Sequence, residues 1–243
     1  MLTLLTTAAL LTPPAAAAIC CTATGGDPLA LQDCEGLATL SGVAVSAEPG
    51  KQTLTPSLTV MGRASRSLVL GLRAPLLFEH SGGGLDWGVG HLYPWARLER
   101  RFGVDAVGAW TLAVGSVGPD AALGAGSLRV ETGPSVAWSA RDRVVAARGL
   151  VKAPVVGRGE LEGRLEVAAG RGLGRAQLGV RGEVIGVGLD EALQRVDLMV
   201  GPAAWLRAGE QGRVALSLAA GPRLVSADGG WVAGLSAAWL APL

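Results

Sequence analysis

Motifs that would support enzymatic chemistry are nearly absent from this sequence. The only two histidines are His80 and His91, and His80 lies between Glu79 and Ser81. A Ser–His–acid site needs the base within hydrogen-bond reach of the nucleophile, which neighbours on one loop rarely achieve. We interpret His80 and Ser81 as part of a solvated loop, and we expect no enzymatic activity, no cofactor and no metal site.

Two short motifs could bind ligands but have a simpler interpretation. The stretch from Gly170 to Gly174 reads GRGLG, like a phosphate loop, yet no helix follows it as that motif requires. We predict a hairpin turn there instead. The acidic pair Asp190–Glu191 could hold a cation, but two acids in one loop are weak evidence and we predict a solvated turn.

The three cysteines, Cys20, Cys21 and Cys34, all lie near the N-terminus. In an oxidising compartment Cys34 could form a disulfide with Cys20 or with Cys21. The preceding residues 1–18 are uncharged, apolar and end in alanines, which is typical of a secretory signal peptide. A buried core helix is the alternative, but Pro13–Pro14 would break it. We expect a signal peptide over 1–18 and a cysteine-containing segment over 19–36.

Composition narrows the class of protein. The 21 basic and 20 acidic residues nearly cancel, which argues against binding to nucleic acid because such proteins carry a basic excess. A hydrophobic content of 49% argues against disorder. The 37 glycines disfavour a helical protein, since each glycine inside a helix costs about 1 kcal/mol. A β-rich chain is expected.

From Leu37 onward, apolar and polar residues alternate with the period of two that is typical of strands. The runs are about twice the ~5–6 residues usual for strands and match the ~9–11 residues that cross a bilayer at a tilt. We predict a single antiparallel, up-and-down transmembrane β-barrel of about twelve strands over residues 37–243, with a soluble secreted β-protein as the alternative. The predicted strands are 37–47, 53–64, 67–79, 86–99, 104–117, 127–140, 144–154, 160–169, 175–185, 195–207, 213–224 and 230–241.

The even number of strands and the lengths of the turns predict how the barrel is oriented in the membrane. Short turns are predicted at one end, including 141–142, 170–173 and 208–212, and several longer connections at the other. Outer-membrane barrels have short periplasmic turns, so we expect both ends of the barrel in the periplasm. Tryptophans near strand ends predict an aromatic girdle at the membrane interfaces, with ordinary core tryptophans as the alternative. The girdle residues are Trp87, Trp138, Trp231 and Trp239.

Nearly all charges within the predicted strands share one face. An arginine facing lipid at mid-bilayer would cost about 2–4 kcal/mol, so we assign this face to the lumen, where thirteen bases oppose nine acids by strand parity. Two interpretations remain open: a narrow, weakly anion-favouring pore, or an interior filled by ion pairs. The predicted lumen-lining residues are Arg63, Arg73, Arg97, Glu99, Arg129, Glu131, Arg148, Arg164, Arg181, Glu183, Arg195, Asp197, Arg207, Arg213 and Arg223.

The final strand resembles that of Gram-negative outer-membrane β-barrel proteins. Apolar residues of one parity run from Trp231 through Trp239 to Leu243. Such barrels usually end in Phe or Trp, whereas this chain ends in Leu243. Segments 68–80 (LVLGLRAPLLFEH) and 82–101 (GGGLDWGVGHLYPWARLERR) resemble predicted transporter-type barrels related to phenol-degradation outer-membrane proteins.

The resemblance implies a location and partners. It implies an outer-membrane protein that contacts lipids, is recognised by the barrel-assembly machinery through its last strand and passively transports small solutes. The rival is a structural barrel without transport. Nucleic acid is not an expected partner.

Overall fold

A computed structural model describes residues 37–48, 51–81, 84–89, 92–103, 106–115, 128–140, 142–156, 160–173, 176–188, 193–208, 212–225 and 230–242. Within these ranges the chain forms thirteen β-strands in one antiparallel sheet. No helix among these residues is long and apolar enough to cross a membrane. The strands are β1 (Leu37–Glu48), β2 (Lys51–Arg63), β3 (Leu68–Ser81), β4 (Gly84–Val89), β5 (Tyr93–Phe102), β6 (Ala106–Gly115), β7 (Leu128–Ala140), β8 (Arg143–Val156), β9 (Glu162–Leu173), β10 (Ala176–Val187), β11 (Arg195–Ala208), β12 (Gly212–Val225) and β13 (Gly230–Pro242).

Strand pairing follows chain order, which confirms the predicted up-and-down, all-β architecture. From β5 to β13 each strand pairs with the next one. The last strand pairs with the first over ten residue pairs, from Ala38 opposite Pro242 to Ala47 opposite Ala233. β1 also pairs with β2, and β2 pairs with β3.

One predicted strand is broken in two. The run over 86–99 forms β4 and β5, with residues 90–92 between them. Both pair with β3: β4 lies opposite Leu76–Ser81 and β5 opposite Leu68–Arg73. Because the two short strands share one neighbour, the sheet has twelve strand positions, as predicted, although it contains thirteen strands among the described residues.

One predicted turn is wrong. Residues 170–173 belong to β9, where Gly170 lies opposite Gly179 and Leu173 opposite Ala176, so the connection falls at 174–175. The predicted hairpin itself forms, between β9 and β10, but its turn is shorter than expected. Gly170 lies within the strand at a close approach, since the Trp205 ring is 3.0 Å from where its Cβ would stand.

The turn between β7 and β8 is tight and stabilised by polar contacts. Ala140 lies opposite Arg143, and the Asp142 carbonyl accepts a hydrogen bond from the Gly172 amide on β9. Arg171 Nε donates to the Asp142 carboxylate at 2.6 Å. That hydrogen bond is the main reason why the pKa of Asp142 lies below its usual value.

Buried apolar side chains form small clusters in the part of the chain that the structure describes. One contains Ile185, Met199, Ala219 and Val232, and another contains Val144, Ala168, Ala203 and Trp205. Most large aliphatic side chains of the described residues lie instead on the exposed side of the sheet. The usual inside-outside arrangement of a water-soluble protein is therefore absent from this sheet.

Candidate functional site

The two faces of the sheet differ sharply in chemistry. On β10, Leu178 is 50% exposed and Val180 52% exposed, whereas the alternate residues Arg181 and Glu183 are 4% and 1% exposed. The same alternation runs along β9, where Leu165 is exposed between buried charges. Successive side chains of a strand point to opposite faces, so one face of the sheet is apolar and exposed and the other, here called the buried face, carries the charges.

The side chains predicted to line the lumen lie on this buried face wherever the structure describes them. Arg207 and Arg213 are described only by their backbones, which lie opposite one another in β11 and β12. The others are buried or half-buried, a state that charged residues adopt only with partners. They are Arg63, Arg73, Arg97, Glu99, Arg129, Glu131, Arg148, Arg164, Arg181, Glu183, Arg195, Asp197 and Arg223.

The largest group of ion pairs crosses β8, β9 and β10. Arg148 Nη2 lies 2.6 Å from Glu166 Oε2, and Arg181 Nη2 lies 3.3 Å from the other oxygen of that carboxylate. Arg181 also reaches Glu183 Oε2 at 3.1 Å, and Arg164 Nε lies 3.1 Å from Glu183 Oε1. Glu183 thus bridges two arginines, and Glu166, whose Oε1 also lies 3.7 Å from Arg164 Nη1, bridges three. Strand pairing explains this arrangement, because it places Arg148 opposite Glu166 and Glu166 opposite Glu183.

Two longer contacts extend this group. Glu162 lies 3.8 Å from both Lys152 and Arg164. We call the four bases and three acids of these ion pairs the β8–β10 cluster; its members are Arg148, Lys152, Arg164, Arg181, Glu162, Glu166 and Glu183.

Two smaller clusters have one carboxylate between two arginines. Asp197 lies 2.9 Å from Nε of Arg195 and 2.9 Å from Nε of Arg223; this is the Asp197 cluster. In the Glu99 cluster, the carboxylate of Glu99 lies 2.6 Å from Arg63 Nη2 and 2.6 Å from Arg97 Nη2.

All three clusters contain one more base than acid. A buried charge is tolerated when an opposite charge and hydrogen bonds compensate its desolvation, and every carboxylate in these clusters has at least two cationic neighbours. The buried face therefore carries a surplus of positive charge spread over well-separated strands.

Aromatic rings also lie on the buried face. Trp95 and Trp205, whose parity places them beside the charges, are both buried. The Trp95 ring lies over Gly71 and the Tyr93 ring over Gly115, where a Cβ would overlap each ring. The Arg97 guanidinium stands 5.7 Å from the centre of the Trp95 ring, a cation–π distance.

Tyr93 is a residue of this face that the sequence reasoning did not single out. It has the parity of Trp95 and Arg97 on the same strand, and it is completely buried. Strand parity would have identified it, but only once residues 93–102 were separated from residues 84–89.

The four predicted girdle tryptophans lie on the exposed side of the sheet. Trp87, Trp138, Trp231 and Trp239 are all exposed. Trp110 is exposed too, near the middle of β6, and its Nε1 donates to Thr132 Oγ1 on β7 at 2.9 Å.

The other predicted site residues have simple placements. The predicted loop at His80 and Ser81 is wrong, because both residues belong to β3, where His80 is exposed and lies opposite Gln52 and Leu85. Several residues considered in the sequence analysis lie outside the described residues. They are the disulfide candidates Cys20, Cys21 and Cys34, the second histidine, His91, and the Asp190–Glu191 pair. The disulfide and the signal peptide stay predictions.

Comparison with known proteins identifies the fold. No protein-family model and no curated protein matches the sequence. Among solved structures, an outer membrane channel from Pseudomonas putida F1 aligns with a TM-score of 0.66 and 14% identity, over 90% of this chain and 100% of that chain. A bacterial polysaccharide outer membrane secretin aligns with a TM-score of 0.43 and 7% identity, over 86% and 99% of the two chains. A triple mutant of the Rhodopseudomonas blastica porin gives a TM-score of 0.25 and 11% identity, over 85% and 98%.

The first of these alignments carries the conclusion. At 14% identity it shows the fold alone, and that fold is the one of an outer membrane channel. The resemblance to outer-membrane β-barrel proteins that the sequence predicted is thereby confirmed.

Proposed function

We propose that this protein is an outer-membrane β-barrel channel that lets small solutes pass through a charged, slightly cationic lumen. The observation that carries the proposal is the inverted distribution of side chains, with leucines and valines exposed and arginines and glutamates buried. In water this arrangement would expose apolar surface and bury charge, both of which cost free energy. In a bilayer the exposed face contacts lipid and the charges are enclosed.

The barrel in this proposal is a closed ring of twelve strand positions. Three pairings support closure: β13 with β1, β1 with β2, and β2 with β3. In a closed ring the backbone N–H and C=O groups of every strand form hydrogen bonds with neighbouring strands. This is necessary in a bilayer, because the hydrocarbon core offers no hydrogen-bond partners.

Location and assembly follow from the same proposal. A signal peptide over 1–18 exports the chain, and the barrel-assembly machinery recognises β13. The exposed tryptophans Trp87, Trp138, Trp231 and Trp239 form the interfacial girdle, as in other barrels of this kind.

The lumen favours anions weakly. Its positive surplus comes from the β8–β10, Asp197 and Glu99 clusters, each with one base too many. Rings of charge on a pore wall set ion selectivity, but salt screens exposed charges beyond about 8–10 Å at physiological strength. The preference is therefore strongest at low salt.

A second candidate, a barrel without a solute path, has one observation in its favour. The charges at the centre of the β8–β10 and Asp197 clusters are almost completely enclosed, with Glu183 and Asp197 at the extreme. Side chains lining a wide aqueous pore would be more exposed to water than these are. A channel built on this sheet must therefore be narrow.

The test is ion conductance of the purified full chain in planar bilayers under a salt gradient. We compare it with the double variant Arg97→Gln and Arg223→Gln, which removes the surplus base of two clusters and leaves Arg63–Glu99 and Arg195–Asp197 paired. The proposal predicts a small conductance and a reversal potential that moves towards cations in the variant. Arg143→Gln, at an exposed position beside a turn, is the matched control and should change nothing.

Each result has a clear meaning. Absence of conductance in all three proteins would support the barrel without a solute path. Conductance with the same reversal potential in the double variant would contradict the assignment of these arginines to the pore wall.

A further inference from the structure

Arg73 differs from the other well-described charges of the buried face. Its side chain is 1% exposed, yet within the described residues it forms no ion pair. Its one hydrogen bond there is long, from Nη2 to Ser57 Oγ at 3.5 Å, while Nε and Nη1 have no acceptor. A buried guanidinium without an anionic partner is costly, so its environment calls for an explanation.

The neighbours of Arg73 also have unused hydrogen-bonding capacity. Thr59 lies directly opposite Arg73 on β2, and its buried Oγ1 has no hydrogen-bond partner. Trp95 lies opposite Gly71, two residues along β3. Its buried Nε1 is likewise without a partner and stands 2.6 Å from where a Gly71 Cβ would be.

These groups share one chemical character. The guanidinium and the indole N–H can only donate hydrogen bonds, and the threonine hydroxyl can donate one. The carboxylate of Glu99, six residues along β5 from the partner of Arg73, is held by Arg63 and Arg97. Three adjacent strands, β2, β3 and β5, therefore present unused donors and a positive charge, and the acceptor that the described chain offers Arg73 is Ser57 Oγ at 3.5 Å.

We propose that Arg73, with Thr59 and Trp95, forms a binding site for a small anion, the carboxylate group of a passing solute or a chloride ion in its place. Arginine is suited to this task because its guanidinium stays charged and donates several hydrogen bonds to a carboxylate. The site deepens the proposed channel function, since it rests on the buried face being the lumen, and it names anionic carboxylate solutes as the class that the lumen recognises.

Chloride binding can be measured without any conductance. The excess line width in ³⁵Cl NMR of the purified full chain, in an uncharged maltoside detergent, reports chloride held by the protein. The proposal predicts that Arg73→Gln removes most of this excess width, whereas Arg143→Gln, which removes an exposed cation, leaves most of it. Acetate should displace the chloride and narrow the line, and its neutral analogue acetamide should not.

The outcomes separate this site from the channel proposal. Equal line widths in wild type and Arg73→Gln would overturn the site even if the protein conducts. An Arg73-dependent width in a non-conducting protein would support the site and contradict transport. Failure of acetate to compete would overturn the carboxylate assignment.

A second variant guards against misfolding of Arg73→Gln. Thr59→Val keeps every charge and nearly the same shape, and it removes only the hydroxyl opposite Arg73. We expect it to reduce the excess chloride width partly. If Arg73→Gln does not fold, an unchanged width in Thr59→Val overturns the proposal.

Discussion

Replacing Val180 by arginine tests whether the exposed face contacts lipid. Val180 lies four residues from Ala176 and seven from Val187, the ends of β10. At ~3.3 Å per residue along the strand and a tilt of about 45°, these are about 9 and 16 Å along the membrane normal. Together they match the roughly 25 Å apolar band of outer-membrane barrels, and they place Val180 near its centre.

The expected cost follows from this depth. An arginine facing lipid at the midplane costs about 2–4 kcal/mol, and near the interface about 0–1 kcal/mol. Val156→Arg is the matched control, because Val156 is equally well exposed but is the last residue of β8. The assay is the free energy of unfolding from phosphatidylcholine vesicles by denaturant titration. If both variants change it by less than about 0.5 kcal/mol, as surface substitutions of soluble proteins do, the lipid-facing assignment is wrong.

Two further predictions concern local packing and charge. Gly71→Ala would place a Cβ inside the Trp95 ring, so we expect about 1–3 kcal/mol of destabilisation from overpacking and an altered near-ultraviolet circular dichroism spectrum. The control Gly182→Ala should be tolerated, because the nearest atom to its Cβ would be 3.9 Å away. Equal effects of the two substitutions would contradict the close packing of Trp95 on Gly71. Arg171→Gln should raise the pKa of Asp142 towards its usual value, because it removes the 2.6 Å hydrogen bond that lowers it. Since that pKa is depressed in the folded state, the stabilisation is present above the carboxyl's unfolded pKa and is lost as pH falls through the folded value; an NMR titration showing no change would refute the role of Arg171.

Alternation of residue types was sufficient to predict most of the fold. On β9, Leu165 and Val167 alternate with Arg164 and Glu166, and on β10 Val180 and Val184 flank Arg181 and Glu183 with the same period of two, so both strand length and facing could be derived from the sequence. The predicted strands 195–207 and 213–224 match β11 and β12 to within one residue at each end.

Glycine caused the principal errors, because it has two uses in this sheet. At Gly103, with a φ of 73°, it forms a turn, whereas at Gly71 and Gly170 it accommodates a ring from another strand. A single sequence does not distinguish these uses, since the ring comes from a residue distant in the chain. The break between β4 and β5 was also missed, although the facing of odd-numbered residues changes across it: Trp87 on β4 is exposed, whereas Tyr93 and Trp95 on β5 are buried.

The ion pairs within the candidate site could not be predicted from the sequence. Parity places Arg164, Arg181 and Glu183 on one face, but which base meets which acid depends on the register between strands. The same register leaves Arg73 opposite Thr59 and Tyr93 rather than opposite an acid. The charge surplus could be predicted from the sequence, but its division into three clusters and one separate arginine required the structure.

The most direct test of the outer-membrane barrel is fractionation of cells that produce the full chain, followed by gel electrophoresis of unheated and boiled samples. Our account predicts that the protein is found in the outer-membrane fraction and that its band migrates differently after boiling, because a closed barrel resists detergent until heated. Recovery in the soluble fraction, with identical migration before and after boiling, would contradict it.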